Sequence, residues 1–258
     1  MFGDVFGLQV PVVEEDELSL LREGPPPHQL ALRRRGSKAV LPPVSIVWPC
    51  SLSVDEYVAA GREVELPRPD CPVCSRSMIL WSGYERRIRE DGRCSSMWVP
   101  RFRCNSCLVT HALLPAFVLV GRLDVAETIG SALEAVFAGP GGVRPVAAHF
   151  DVPHTTVRSW VRRFSSRSRE LGVAFAALAA DLGGEVVTPA TDPRTHALDA
   201  FRAAWRAVSA FPGWLGCGRW RFISAVTGGR LIATNTKSLF LVVGKRRFMP
   251  PVPSRDQN

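Results

Sequence analysis

Two C-x-x-C pairs, Cys71-Pro-Val-Cys74 and Cys104-Asn-Ser-Cys107, constrain this chain more than any other feature. Each pair lets one tight turn aim two thiolates at a common point, and two such turns complete a tetrahedral site. The 29 residues between Cys74 and Cys104 exceed the usual separation of paired knuckles, but they suit a two-strand β arm. An arm of that size buries little apolar surface. In small zinc peptides the metal supplies about 10–16 kcal/mol of folding free energy. The spacing therefore predicts one structural Zn²⁺ per chain, held by Cys71, Cys74, Cys104 and Cys107, with no open position for catalysis. Four free buried cysteines or a redox pair would be the plainer readings, and a single C-x-x-C would leave them open. Cys94 and His111 are the residues able to substitute for one ligand, whereas Cys50 and Cys217 read as core cysteines.

The redox compartment supports this reading. The N-terminus lacks a positive region followed by an apolar run. No stretch reaches the roughly 18 apolar residues of a spanning helix; the longest candidate, residues 172–180, is short and alanine-rich. A cytoplasmic location, nucleoid-associated when bound to DNA, is expected, with no membrane partner. Seven cysteines among reduced thiols point to metal rather than disulfides.

The pattern along the chain predicts an α+β fold, a small β zinc ribbon followed by a mostly α-helical, homeodomain-like helix-turn-helix region and C-terminal helices. Residues 1–43 carry an acidic run, Pro25-Pro26-Pro27 and Arg33-Arg34-Arg35, and read as a disordered tail. Residues 44–117 hold the ribbon: a strand at 44–49, a short helix capped by Ser53 with Glu56, and strands at 78–84 and 97–103 around an Asp91-Gly92 hairpin signal. Leu113-Leu114-Pro115 marks the exit from this unit. Residues 118–170 form the helix-turn-helix region, with helices at 124–137, 145–150 and 154–164, the last extendable through Ser168. Residues 171–236 are C-terminal helices, at 171–182, 197–211 and 220–226, and 237–258 a second tail. The stripe Leu198, Phe201, Trp205 and Val208 needs a cover, either residues 171–182 of the same chain or a partner copy. A homodimer through these helices is thus left open.

In the segment Arg144 to Phe164, Val146, Ala147 and Phe150 face a core. Asp151 occupies the turn where a left-handed residue is needed, and Pro153 presets the next helix. On that helix Val157, Trp160, Val161 and Phe164 share one face at 100° per residue. Thr155, Ser159 and Arg162 lie opposite, flanked by His154, Arg158 and Arg163, and Arg167 continues the basic run. Short polar side chains and arginines are what reading base edges and phosphates in a major groove requires. An amphipathic hairpin packed on another protein is the competing reading.

Charge points the same way without deciding it. The net charge is +8, and the excess begins where the cysteines begin: residues 71–258 carry 25 basic and 13 acidic residues, against 7 and 11 in residues 1–70. A polyanion releases counterions on meeting such a surface, although a solvated face would have the same composition.

Several motifs carry a resemblance. These are Ser45-Ile-Val-Trp-Pro-Cys50, the two cysteine pairs, Trp81-Ser-Gly-Tyr84, Thr110-His-Ala-Leu-Leu-Pro115, Pro153-His-Thr-Thr-Val157 and Ala233-Thr-Asn-Thr236. Together they resemble an uncharacterised actinobacterial domain-of-unknown-function family, which implies no activity. The order of ribbon and helix-turn-helix is similar in architecture to the N-terminal recognition part of insertion-sequence transposases. The expected function is sequence-specific binding of double-stranded DNA, as a regulator or mobile-element accessory factor, with no small-molecule substrate. A zinc-stabilised protein-interaction module is the alternative. A transposase fragment is less favoured: after the helix-turn-helix only Glu170, Asp181, Glu185, Asp192, Asp199 and Asp256 could supply a carboxylate triad, with no run of strands between them. The chain is therefore expected not to be an enzyme.

Overall fold

The computed structural model describes residues 45–139, 141–214 and 216–233. The expectations for residues 1–43 and 237–258, and for Thr234-Asn-Thr236, lie outside them. By internal contacts the chain divides into Met1–Pro42 and Pro43–Asn258, and every described residue belongs to the second unit.

The sheet grows from one hairpin. Asp91 and Gly92 both adopt positive φ, 47° and 74°. A two-residue loop of this kind matches the twist of the strands it joins. Strands β2 (Met78–Glu90) and β3 (Arg93–Cys104) run from it as a ladder with one irregularity, between Leu80 and Ser82. Both strands are longer than the sequence pattern suggested. Their outer ends, rich in arginine and serine, lack an apolar signal, but the tight turn forces them to pair. β3 next pairs antiparallel with β4 (Thr110–Pro115), which pairs in parallel with β1 (Ile46–Trp48), giving the order β1-β4-β3-β2.

β4 corrects the reading of residues 113–115 as an exit. Leu113, Leu114 and Pro115 are buried inside the sheet. A strand covered on both sides loses its alternation, so a short apolar run such as Ala-Leu-Leu carries little strand signal.

Helix α1 (Val54–Ala60) starts as expected. The Ser53 hydroxyl accepts the Glu56 amide at 3.2 Å, and the Glu56 carboxylate accepts the Ser53 amide at 2.7 Å. A 3₁₀ turn, Gly61–Glu63, follows. Tyr57 of α1 packs edge-on against Phe117 and donates to the Trp98 carbonyl, closing a core with Ile88, Met97, Val99 and Leu114.

The helical part comprises α2 (Ala126–Ala138), α3 (Val143–His149), α4 (His154–Ser165), α5 (Ser168–Asp181), α6 (Pro193–Val208) and α7 (Arg219–Val226). α4 does not continue through Ser168; it ends at Ser165 and α5 begins at Ser168. α6 starts earlier than read, because the Asp192 carboxylate caps the Arg194 amide and Pro193 tolerates the first turn. It also ends at Val208, leaving Phe211 beyond it and exposed. One apolar core joins these helices. At its centre the Phe201 ring lies 4.5 Å from Phe175, 6.2 Å from Phe164 and 6.0 Å from Trp220. Aromatic pairs of this kind add about 0.5–1.5 kcal/mol each beyond area burial. α2 meets α7 at Gly130, where a Cβ would fall 1.9 Å from the Trp220 indole, so only glycine admits that approach. The stripe on α6 is covered within the chain: Phe201 touches Phe175 of α5, and Trp205 lies 5.8 Å from Phe222 of α7. The fold is α+β, a small sheet followed in sequence by helices. Among the described residues no helix is long and apolar enough to cross a membrane.

Candidate metal centre and nucleic-acid interface

The same turn is built twice. In the first, the Ser75 amide donates to the Cys71 carbonyl at 2.8 Å, and the Cys71 amide donates to the Arg76 carbonyl at 2.8 Å. In the second, the Leu108 amide donates to the Cys104 carbonyl at 2.9 Å and the Cys104 amide to the Val109 carbonyl at 3.0 Å. The residue after each second cysteine is left-handed, Ser75 at φ 55° and Leu108 at φ 62°. Glycine would take that conformation freely, and its absence hides the knuckle geometry from a sequence reader. The second turn is also the connection from β3 to β4, and Met78, which opens β2, pairs with Cys104. The sheet thus carries both knuckles to one end.

All four sulfurs lie within 4.8 Å of one another. The short approaches cross between knuckles: Cys71 to Cys107 at 3.5 Å and Cys74 to Cys104 at 3.4 Å. A tetrahedron with 2.3 Å bonds places sulfurs about 3.8 Å apart, so the cluster can close on one ion with little movement. Cys71 and Cys104 are buried, while Cys74 and Cys107 are nearer the surface. Burial and the neighbouring thiols push Cys107 up to about 12. For Cys104 burial acts in the same sense, but donation from the Cys107 and Ser106 amides and the Cys74 thiol outweighs it and brings the group down to about 6.

His111 is fully buried, with Nε2 at 3.7 Å from the Cys71 sulfur. It stands behind the four-sulfur cluster, within hydrogen-bond reach of the Cys71 sulfur. Cys94 is exposed and pairs with Arg89 near the hairpin tip, at the other end of the arm. Cys50 and Cys217 are buried as expected. The Cys217 thiol donates to the Cys50 carbonyl, and desolvation raises both groups, Cys50 to about 11.

The second group of singled-out residues lies on α3 and α4. The turn between them ends α3 with paired bonds, Val152 amide to Ala147 carbonyl at 3.0 Å and Asp151 amide to Ala148 carbonyl at 3.3 Å. Asp151 is left-handed, φ 49°, as its position required. On α4, Val157, Trp160 and Phe164 are buried, whereas His154, Thr155, Arg158 and Arg162 are exposed. Ser159 and Arg163 are half-buried, and the Arg163 guanidinium donates to the Ser159 hydroxyl at 3.2 Å.

Arg167 requires a correction. It is only 7% exposed, and its guanidinium donates to the carbonyls of Arg230, Leu231 and Ala233. It lies in the bend between α4 and α5 and turns inward, so it cannot meet a phosphate. Arg167→Ala is expected to lower stability by about 1–3 kcal/mol, since it removes a buried donor shared by three carbonyls, of which that of Arg230 keeps the Ala233 amide. The salt dependence of any DNA binding should stay unchanged; a lower salt slope with intact stability would restore the phosphate role. Arg86 and Arg89 are likewise structural. The Arg86 guanidinium donates to the Leu119 carbonyl at 2.8 Å and to that of Arg122, and Arg89 pairs with buried Asp124 at 2.7 Å. Nothing local marks such arginines, because their acceptors lie far away in sequence.

These bonds also fasten the arm to the helices. The Arg89 amide donates to Leu123 and the Val125 amide to Arg89. The hairpin tip reaches the α3–α4 turn, where a Cβ on Gly92 would lie 2.9 Å from the Asp151 carboxylate.

Residues 71–160 match the family described as Domain of unknown function (DUF6431). The match runs from Cys71 to Trp160 and so takes in the whole four-cysteine cluster and most of α4. No curated protein and no solved structure matches the chain.

Proposed function

We propose that this chain is a zinc-containing, sequence-specific DNA-binding protein, a transcriptional regulator or mobile-element accessory factor, that lays α4 in the major groove of double-stranded DNA. The observation that carries this reading is the division of α4. Its apolar side is locked into the helical core, which leaves His154, Thr155, Arg158 and Arg162 on a rigid, accessible face. The α3–turn–α4 arrangement supports a helix-turn-helix reading, in which the N-terminal part of the second helix meets base edges. The four-sulfur site suits Zn²⁺ by donor type and number, and would hold the arm whose tip braces that turn. The proposed role is non-enzymatic, and three of the carboxylates after α4 have structural partners. Asp192 caps α6, Asp199 pairs with Arg202, and Glu185 pairs with Arg206. Among the described residues, the cysteine cluster is the group of three or more candidate ligands that converges.

The test is binding to a selected duplex and to a scrambled one across a salt series. Arg158→Ala or Arg162→Ala is expected to cost about 1–3 kcal/mol and to relax preference at one base position. Binding of the wild type should weaken steeply with salt. A wild type that binds no duplex, or variants with unchanged affinity and preference, would overturn the reading in favour of a protein-interaction module.

A further inference from the structure

The motif Trp81-Ser-Gly-Tyr84 has no part in either the metal cluster or α4, yet it is the least expected surface on the molecule. Leu80 pairs with Phe102 and Ser82 with Arg101, so Trp81 is an inserted residue, a bulge in the edge strand β2. Bulges re-aim side chains, and this one turns an indole outward: Trp81 is 57% exposed. Ile79, Leu80 and Tyr84 beside it are exposed too. The Arg103 guanidinium lies over the Trp81 ring, 4.6 Å from its centroid. Next to them a cleft of about 440 Å³ is lined by Arg62, Leu80, Trp81, Ser82, Gly83 and Trp98.

Charge narrows what such a surface can accept. Residues 71–84 and 94–123 contain no aspartate or glutamate, whereas Arg76, Arg101 and Arg103 fall within them. Arg101 and Arg103 alternate with buried Phe102 and Cys104, so the ladder itself sets the two basic side chains on the face opposite the metal cluster's core. An apolar peptide would be served by the exposed side chains alone and gains nothing from Arg101 and Arg103 beside them. An exposed aromatic ring with a guanidinium over one face and a second arginine beside it fits unpaired nucleotides, whose bases stack on the open face while their phosphates meet arginine.

We propose that this face of the sheet is a second nucleic-acid site, one that takes single-stranded DNA by stacking a base on Trp81 and holding its backbone with Arg103 and Arg101. It is independent of groove reading by α4: duplex contacts would lie on the helix and unpaired bases on the sheet.

The experiment titrates the full, zinc-loaded chain against fluorescently labelled single strands of about 12–20 nucleotides, homopolymer and mixed, and against the selected duplex. Trp81→Ala is expected to weaken single-strand binding about tenfold or more, the worth of one stacked base, with zinc content and circular dichroism unchanged because the ring is exposed. Trp81→Phe should retain most of the affinity, and Arg103→Ala should lose affinity and reduce the salt dependence. Duplex affinity should be unaffected by Trp81→Ala, while Arg158→Ala should reduce duplex binding and spare the single strand. No binding of any single strand by the wild type, or equal binding by Trp81→Ala, overturns the proposal. So does a Trp81→Ala chain whose altered property is self-association or peptide capture, since β2 would then serve strand addition. Failure of duplex binding alone would overturn the α4 reading and leave this one standing.

Discussion

Removing zinc is expected to unfold the metal end of the sheet, and Cys104→Ser is expected to do the same in a chain that can no longer bind the ion. The apolar cluster at that end consists of Cys71, Met78, Phe102, Cys104 and Leu113, so two of its five buried members are themselves candidate ligands. Structural zinc is worth about 10–16 kcal/mol in small zinc peptides, as much as the whole stability of an ordinary domain. Four thiols packed within 4.8 Å gain nothing comparable from one another. Elemental analysis should give about one equivalent of zinc per chain. After chelation, hydrogen exchange should rise first in residues 71–84 and 101–115, while the inner part of the hairpin, packed on α1, should hold longer. A metal-free chain that keeps its native circular dichroism and protection would dispose of the structural-zinc reading.

Trp160→Ala should produce the second large effect, a loss of about 3–5 kcal/mol. Trp160 is 2% exposed and belongs to the core that joins α2 through α7. The cavity left by an indole cannot be closed by helices already held by Phe164, Phe175 and Phe201. Arg158, two residues away on the opposite face, is exposed, and Arg158→Ala should stay within about 0.5 kcal/mol of wild type in stability. Denaturant melts of the two variants make the comparison. Equal stability of Trp160→Ala and wild type would mean that α4 is not anchored by its apolar side, and the outward basic face would lose its basis.

What could be read before folding was whatever depends on near neighbours. The four candidate ligands follow from two C-x-x-C pairs, because a tight turn is a local object. The Asp91-Gly92 hairpin, the Ser53 cap, the left-handed Asp151 and the two faces of α4 follow for the same reason. Each is set by a few consecutive residues or by a 3.6-residue period. The α6 stripe was legible as something needing cover, although whether α5 or another chain supplied it was not.

What escaped is non-local. β4 is a strand because β1, more than sixty residues upstream, and β3 flank it, and its own composition is mute. The outward turn of Trp81 depends on the register of β2 against β3, which a single inserted residue shifts. Arg167 has the same side chain as Arg158 and stands nine positions on, yet one is exposed and the other binds carbonyls at residues 230–233. Composition counts both as positive charge available to a partner. Sequence by itself determined which residues could ligate metal, cap, turn and form helices, since those properties are carried by short segments. Tertiary structure alone decided which arginines face solvent and which aromatic ring does. Burial is imposed by distant parts of the chain, and a buried guanidinium must find its acceptors there.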